Sequence, residues 1–509
     1  MKSLLQSFFS FLKSKPFPSK EDRELFQNEP FSLFKVSVFL IGIIGSVFFL
    51  LFLLHISRVF SLEEPASGGT LTVGVIGAPR FINPFLSSSQ SDETLIKLLY
   101  SPLVTKTETG ILVPVLADHF IASPDGKEYR FTLKNNLRFS DKKILTSADV
   151  VYSFETKRSF VVVANPESEW KYITVSAPDN QTVVIQTTGQ EDLRNYLSLP
   201  IVPKALWSAV DTSLMKDSTL NMNPVGAGPF VLKKISYTNT IPKEFILERN
   251  PLFVGEKPFI KKIKIVIFSN QLDLKEGLLN KKIALTSMLQ NTFVDSAIKD
   301  AFSVQEVPTK KEVSIFVSSS GKNALNAQAL SLLSPFIDRF KIIDIIGNGY
   351  GVALPSLGAT VSTSDTSNAG DILTRSGFVK DTATGILNKS TNQIKLSLAL
   401  KKDDALIDAA NELSRQLFSF GIMTELKVFD QGLFADQMRE GGYQFILGTS
   451  TDALPGYQTL IPLYQSVMPV LSHGVTIETP RTINTESELF ESISHWYIRK
   501  DMVWKIFKK

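Results

Sequence analysis

The stretch SPDGKEYRFTLKNNLRFSDKKILTSADVVYSFE, Ser123 to Glu155, decides how this chain is read. Asp125-Gly126 forms a turn pair, because glycine takes positive φ without steric cost. Tyr129, Phe131 and Leu133 then alternate with Arg130, Thr132 and Lys134, the period-two pattern of a half-buried strand. Asn135-Asn136 turns the chain, Leu137 and Phe139 predict a second short strand, and Asp141-Lys142-Lys143 turns it again. Thr146 with Asp149 fits a capping box, so the spacing predicts a helix opening at Ala148 to Phe154. Nothing in the stretch is an obvious nucleophile, metal ligand or phosphate cradle.

Similar local patterns extend outward. Thr70 to Val75, Thr182 to Thr187, Phe245 to Arg249, Ile260 to Phe268, Ile394 to Leu400 and Met423 to Phe429 read as strands. Ser91 to Tyr100, Asp273 to Leu279 and Ala324 to Ile343 read as helices. So does Ala405 to Phe420, with Leu406, Ala409, Ala410, Leu413 and Leu417 on one face. Gly347 to Gly377, rich in Ser, Thr and Gly, reads as a long loop with a short helical piece. The class is α/β with mixed sheets.

The 509 residues exceed what one core organises, so two or three lobes are expected. The formal charge of +4 is concentrated near the N-terminus, which leaves a body with no electrostatic reason to bind nucleic acid. There is no cysteine, hence no disulfide, thiolate site or lipidated N-terminal cysteine. The four histidines, His55, His119, His473 and His495, are not spaced as metal pairs. No phosphate-loop, dinucleotide, zinc-protease or nucleophile-elbow motif occurs, so the expectation is no catalytic residue, no metal and no cofactor. Gly226-Ala227-Gly228, followed by Pro229, reads as a structural turn; Asp403-Asp404 as a helix cap; Glu440 as a solvated side chain.

Val36 to Ile56, VSVFLIGIIGSVFFLLFLLHI, is about 21 residues without a full charge, enough to cross a hydrocarbon core. Lys2, Lys13, Lys15, Lys20, Arg23 and Lys35 precede it, so the positive-inside rule predicts a single-pass anchor with a cytoplasmic N-terminus. Everything after about residue 60 is then extracytoplasmic. Leu4 to Lys15 predicts a helix lying in the membrane interface, with Leu4, Leu5, Phe8, Phe9 and Leu12 along one stripe.

Leu116 to Glu155 as a whole resembles the signature of the bacterial extracellular solute-binding proteins, family 5, the binding components of dipeptide, oligopeptide and nickel ABC importers. The resemblance continues at Pro203-Lys204, at NPVGAGPFVL (Asn223 to Leu232) and at LERNPLFVGEKPFIKKIKI (Leu247 to Ile265). It extends to Ile337-Asp338-Arg339 in SPFIDRFKIID and to ELSRQLFSFGIMTELKVFDQGLF (Glu412 to Phe434). It implies a periplasmic-binding-protein-like, type II clamp of two lobes with an extra domain in the first. The expected limits are residues 1–35 for a cytoplasmic segment, 36–58 for the anchor and 59–69 for a linker. Residues 70–107 and 213–307 form lobe I, 108–212 the extra domain, 308–484 lobe II and 485–509 the return to lobe I.

The resemblance also implies a ligand, a peptide or other small solute, enclosed between lobes and delivered to an ABC permease. Asp452 matches the family's aspartate for the peptide amino terminus, and Thr449 and Tyr350 are the further ligand-binding candidates. Two departures stand out. GTSTD, Gly448 to Asp452, replaces the family's tryptophan before that aspartate, and only about eight residues separate Asp452 from IPLYQS, Ile461 to Ser466, where the family carries several dozen. A degenerate clamp serving as a surface sensor or interaction module is the alternative they leave open.

Overall fold

The structure is a computed structural model, describing residues 40–52, 61–107, 110–318, 324–347, 350–355, 369–439, 443–450, 456–479 and 486–504. The chain divides into two compact units, residues 1–64 with 500–509, and residues 65–499. In the first, residues 40–52 are helical, and the strand Ser61–Pro65 pairs with Lys500–Trp504. No helix among the described residues is long and apolar enough to cross a membrane. The rest of the expected anchor, at 36–39 and 53–56, and the interfacial helix Leu4 to Lys15 lie outside the described residues.

Residues 123–155 form the elements their pattern predicts, with one exception. The strand Glu128–Leu133 is followed by the helix Ser147–Ala164, whose capping box joins Thr146 and Asp149. Asp149 accepts from Thr146 N at 2.9 Å and also from Lys204 N at 2.8 Å, which fixes the helix start against the Pro203-Lys204 turn. Leu137 and Phe139 make no second strand; only an isolated bridge joins Arg138 to Ile144. Asn136 and Lys142 take positive φ (58° and 72°), so two tight turns crowd the segment and its apolar residues are used to fill the core.

That core contains Phe131, Leu133, Phe139, Phe154 and Ile185 beneath a four-stranded sheet, Ala117–Ala122, Glu128–Leu133, Thr182–Thr187 and Ile173–Ser176 in spatial order. Each buried phenylalanine is worth about 1.5–3 kcal/mol over the exposed state. The turn at Gly226 to Gly228 packs onto the end of the helix Gln90–Leu99. A Cβ on Gly228 would stand 2.4 Å from the Leu99 carbonyl carbon, and Gly228 N donates to Leu99 O at 3.0 Å. Backbone approach, not phosphate binding, requires these glycines.

The remaining cores share one 11-stranded sheet. Its main path runs Met423–Phe429, Lys395–Lys401, Phe445–Thr449, Ser303–Ser318, Tyr457–Ser472, Leu285–Thr286, Gly68–Ile76, Ile260–Phe268, Ile241–Arg249, Phe230–Thr238. One core gathers Leu71, Val73, Phe245, Ile265, Val470 and Trp496. The other gathers Val313, Ile315, Leu398, Leu413, Leu447 and Leu463. Two 16-residue antiparallel strands, Ser303–Ser318 and Tyr457–Ser472, run from the first into the second. Neither was legible as a strand: Pro308, Pro462 and Pro469 interrupt the alternation, and proline lacks the N–H a ladder uses. Their register breaks between Pro308 and Glu312, where Thr309, Lys310 and Lys311 face only Ser466.

Candidate functional site

Where these strands cross from one core to the other, a cavity of about 800 Å³ opens with walls from both. One wall is the segment Ser287 to Thr292, just past Leu285–Thr286, with Gln90 at the start of the Gln90–Leu99 helix. The floor is the crossing itself, Thr309, Lys311, Tyr464, Ser466 and Val467. The opposite wall is built from the carboxyl ends of parallel strands. Lys395–Lys401 runs parallel to Phe445–Thr449, and Lys401 and Thr449 both line the cavity. The helix Asp404–Ser419 begins at the same edge. Ligands of open α/β sheets bind at this end of the strands.

The helix has the face its spacing predicts, with Leu406, Ala409, Ala410, Leu413 and Leu417 buried. Asp403 is its N-cap, accepting from Leu406 N at 3.1 Å. With the apolar stripe turned inward, Asp404 and Asp408 are exposed, and both line the cavity. Tyr464 also lines it while only 4 % exposed. Burial, with the Asp403 charge as a second cause, pushes its phenol far above the ordinary tyrosine range, so it is a neutral donor.

The break in register is held by polar contacts. Thr309 Oγ1 donates to Ser466 O at 3.0 Å and accepts from Lys311 N at 3.2 Å, and Gln465 Nε2 donates to Thr309 O at 2.8 Å. Because successive strand residues face opposite sides, Lys310 lines a second, larger cavity of about 1020 Å³. That cavity is walled chiefly by Thr105 to Val115, Arg194 to Pro200 and the C-terminal Glu488 to Ser494. Among the described residues Lys310 alone reaches it from the second core's side, whereas the smaller cavity takes walls from both sides.

Of the residues singled out from sequence, Thr449 lies on the cavity wall. Tyr350 is 6 % exposed and packs in a cluster with Leu274, Ile298 and Val467, its ring 5.0 Å from Lys299 Nζ. It stands behind the cavity-lining Val467. Asp452 and Glu440 lie outside the described residues. Sequence reasoning did not single out Ser287, Lys311, Asp408 or Tyr464. Only the heptad-like spacing of the Ala405 to Phe420 helix, which leaves Asp404 and Asp408 on its polar face, held a signal. Among the described residues no three His, Asp or Glu side chains gather as a metal would require. The wall offers hydroxyl, carboxylate and ammonium groups, a binding chemistry.

Known proteins share this architecture. The family described as bacterial extracellular solute-binding proteins, family 5 Middle, matches residues 112–467. The oligopeptide-binding protein AppA of Bacillus subtilis is 21% identical over 420 residues, covering 78% of this chain and 76% of its own. The crystal structure of the ABC transporter substrate-binding protein CtaP from Listeria monocytogenes superposes with a TM-score of 0.63 at 19% identity, over 85% of this chain and 99% of that one. AppA in complex with a nonapeptide superposes with a TM-score of 0.52 at 16% identity, over 85% and 99%. These likenesses agree with a mixed α/β, two-lobed periplasmic-binding-protein-like fold. With its family signature, its two lobes joined by a crossing pair of strands and a cavity between them, the chain belongs to the bacterial extracellular solute-binding proteins of family 5, substrate-binding proteins of ABC importers.

Proposed function

We propose that this protein is a membrane-tethered binding protein that captures short peptides outside the cell and hands them to an ABC permease. The observation that carries the reading is the cavity whose walls come from both lobes, with hydroxyl donors and charges of both signs that suit a zwitterionic chain. Thr449 contacts the ligand from the strand end, and Asp452, three residues on, takes the peptide's amino group. Tyr350 supports the wall from behind through Val467. No chemistry is performed on the ligand.

The tether is Val36 to Ile56. Within it, residues 40–52 are helical with apolar side chains exposed all round, Ile41 by 67% and Phe48 by 70%, as suits a lipid surround. The Ser46 hydroxyl returns to Gly42 O at 2.8 Å, so this polar group is satisfied within the helix. Tethering keeps the binding protein concentrated at its transporter.

The test is mass spectrometry of whatever the full-length chain carries when purified in mild detergent and then denatured. A mixture of short peptides supports the reading. A chain that is empty, and whose melting temperature no peptide library moves, overturns it. The absence of cysteine makes the tether testable too. In intact cells an impermeant maleimide should label Ser208→Cys and spare Ser14→Cys; the reverse pattern would overturn the orientation.

A further inference from the structure

Two hydroxyls in the inter-lobe cavity have no side-chain partner among the described residues. Ser287 is 7 % exposed and Tyr464 4 %, both line the cavity, and no side-chain hydrogen bond within the described protein engages either hydroxyl. Ser287 comes from the wall segment that follows Leu285–Thr286 and Tyr464 from the crossing strand that forms the floor. Both hydroxyls open onto the cavity, so the hydrogen-bond partner of each is whatever fills it, water or a ligand.

The acidic wall is likewise unspent. Asp403 already caps the helix, so the amide ends at this terminus have their carboxylate. Asp404 and Asp408 stand four residues apart on one exposed face, where like charges repel. Neither makes an ion pair or side-chain hydrogen bond within the described protein, although Lys401 and Lys311 line the same cavity. The second turn of a helix is too far from its terminus for Asp408 to serve the dipole. Two carboxylates and two hydroxyl donors, none with a side-chain partner among the described residues, make a site for a ligand carrying a cation and hydrogen-bond acceptors in one molecule.

We propose that the cavity selects short peptides bearing a basic side chain, whose ammonium or guanidinium lies against Asp404 and Asp408 while peptide oxygens accept from Tyr464 and Ser287. This rests on the peptide-binding reading above and narrows it. The cation relieves the carboxylate repulsion, and an acidic peptide meets that repulsion instead. Lys311, on the cavity floor, faces the same ligand as a counter-charge for its carboxylate.

Isothermal titration of the full-length chain in detergent with Ala-Ala-Ala, Ala-Lys-Ala, Ala-Glu-Ala and spermidine tests it. Ala-Lys-Ala should bind at least ten times more tightly than the other two peptides. Asp404→Asn with Asp408→Asn should erase that advantage, bringing Ala-Lys-Ala to the affinity of Ala-Ala-Ala, with an unchanged circular dichroism spectrum and melting temperature showing that the variant is folded. Asp408→Asn alone, remote from the cap, should reduce the advantage if the double variant does not fold. Tyr464→Phe should weaken all three peptides alike. Equal affinity for Ala-Lys-Ala and Ala-Ala-Ala would overturn the selection while peptide binding stands. Spermidine binding without any tripeptide binding would overturn the peptide class, and binding of none of the four would overturn both readings.

Discussion

The Ser450 hydroxyl donates to the Lys310 carbonyl at 2.9 Å, tying the register break of the crossing to the residue that follows Thr449. The same oxygen accepts from Glu312 N at 3.1 Å, and Ser450 N donates to Glu312 O at 2.8 Å. One serine thus holds the segment Thr309 to Lys311 at its middle, through Lys310, and at its end, through Glu312.

Ser450→Ala should therefore loosen the crossing more than it destabilises the fold. Ser450 is exposed, so water replaces part of what is lost, and the cost should be about 0.5–1.5 kcal/mol. Urea denaturation reads the stability. Hydrogen exchange should show faster exchange at the Glu312 amide, and an unchanged rate there would contradict the tie.

Arg339 is a heavier anchor. It is 3 % exposed, donates through Nε to Pro462 O at 3.0 Å, and through Nη1 to Ser334 O and Ile337 O at 2.9 and 3.1 Å. Pro462 belongs to a crossing strand, so the guanidinium pins the helix Arg339–Gly347 to it. Arg339→Met should cost about 3 kcal/mol because buried carbonyls lose their donors. Arg339→Lys should recover less than half, since an ammonium cannot span the three carbonyls as a planar fork does. Full recovery with lysine in thermal denaturation would refute the fork.

Glu412 predicts an acid-range effect. It is 6 % exposed, and hydrogen bonds from Arg415 and Gln416 hold its carboxyl below the ordinary range. A depressed folded value means stability that is complete above the unfolded pKa, about 4.3, and is lost as pH falls through the folded one. Arg415 is 57% exposed, so solvent screens part of the pair. Stability of Glu412→Gln should fall less steeply than wild type below about pH 4.3. Parallel curves would show that the carboxylate contributes nothing to acid sensitivity.

Local architecture was legible wherever one face of an element is buried and the other wet. Glu128–Leu133, Ser147–Ala164 and Asp404–Ser419 declare themselves by alternation or by a 3.6-residue stripe, and the Thr146 and Asp403 caps by their side chains. The two crossing strands did not. They pass from one core to another and change which face is buried, and prolines interrupt them, so no single period holds. Half of the cavity was hidden for the same reason. Ser287 and Tyr464 are brought together by strands whose sequence positions lie far apart, while Asp404 and Asp408 stood in plain sight as residues of a capped, amphipathic helix.

The far end of the crossing sets the topology of lobe II. Ser318 and Tyr457 are register partners, so the chain leaves the paired strands and re-enters them at one spot. Among the described residues between, Phe445–Thr449 and Ser450 return to the strand Ser303–Ser318, but most of the intervening chain is an excursion with touching ends, the arrangement in which inserted domains are tolerated. Such an excursion can be shortened, lengthened or exchanged for another without changing the distance that lobe I must bridge. A chain built this way can renew one wall of its inter-lobe cavity by recombination while keeping the other wall, and the floor, intact.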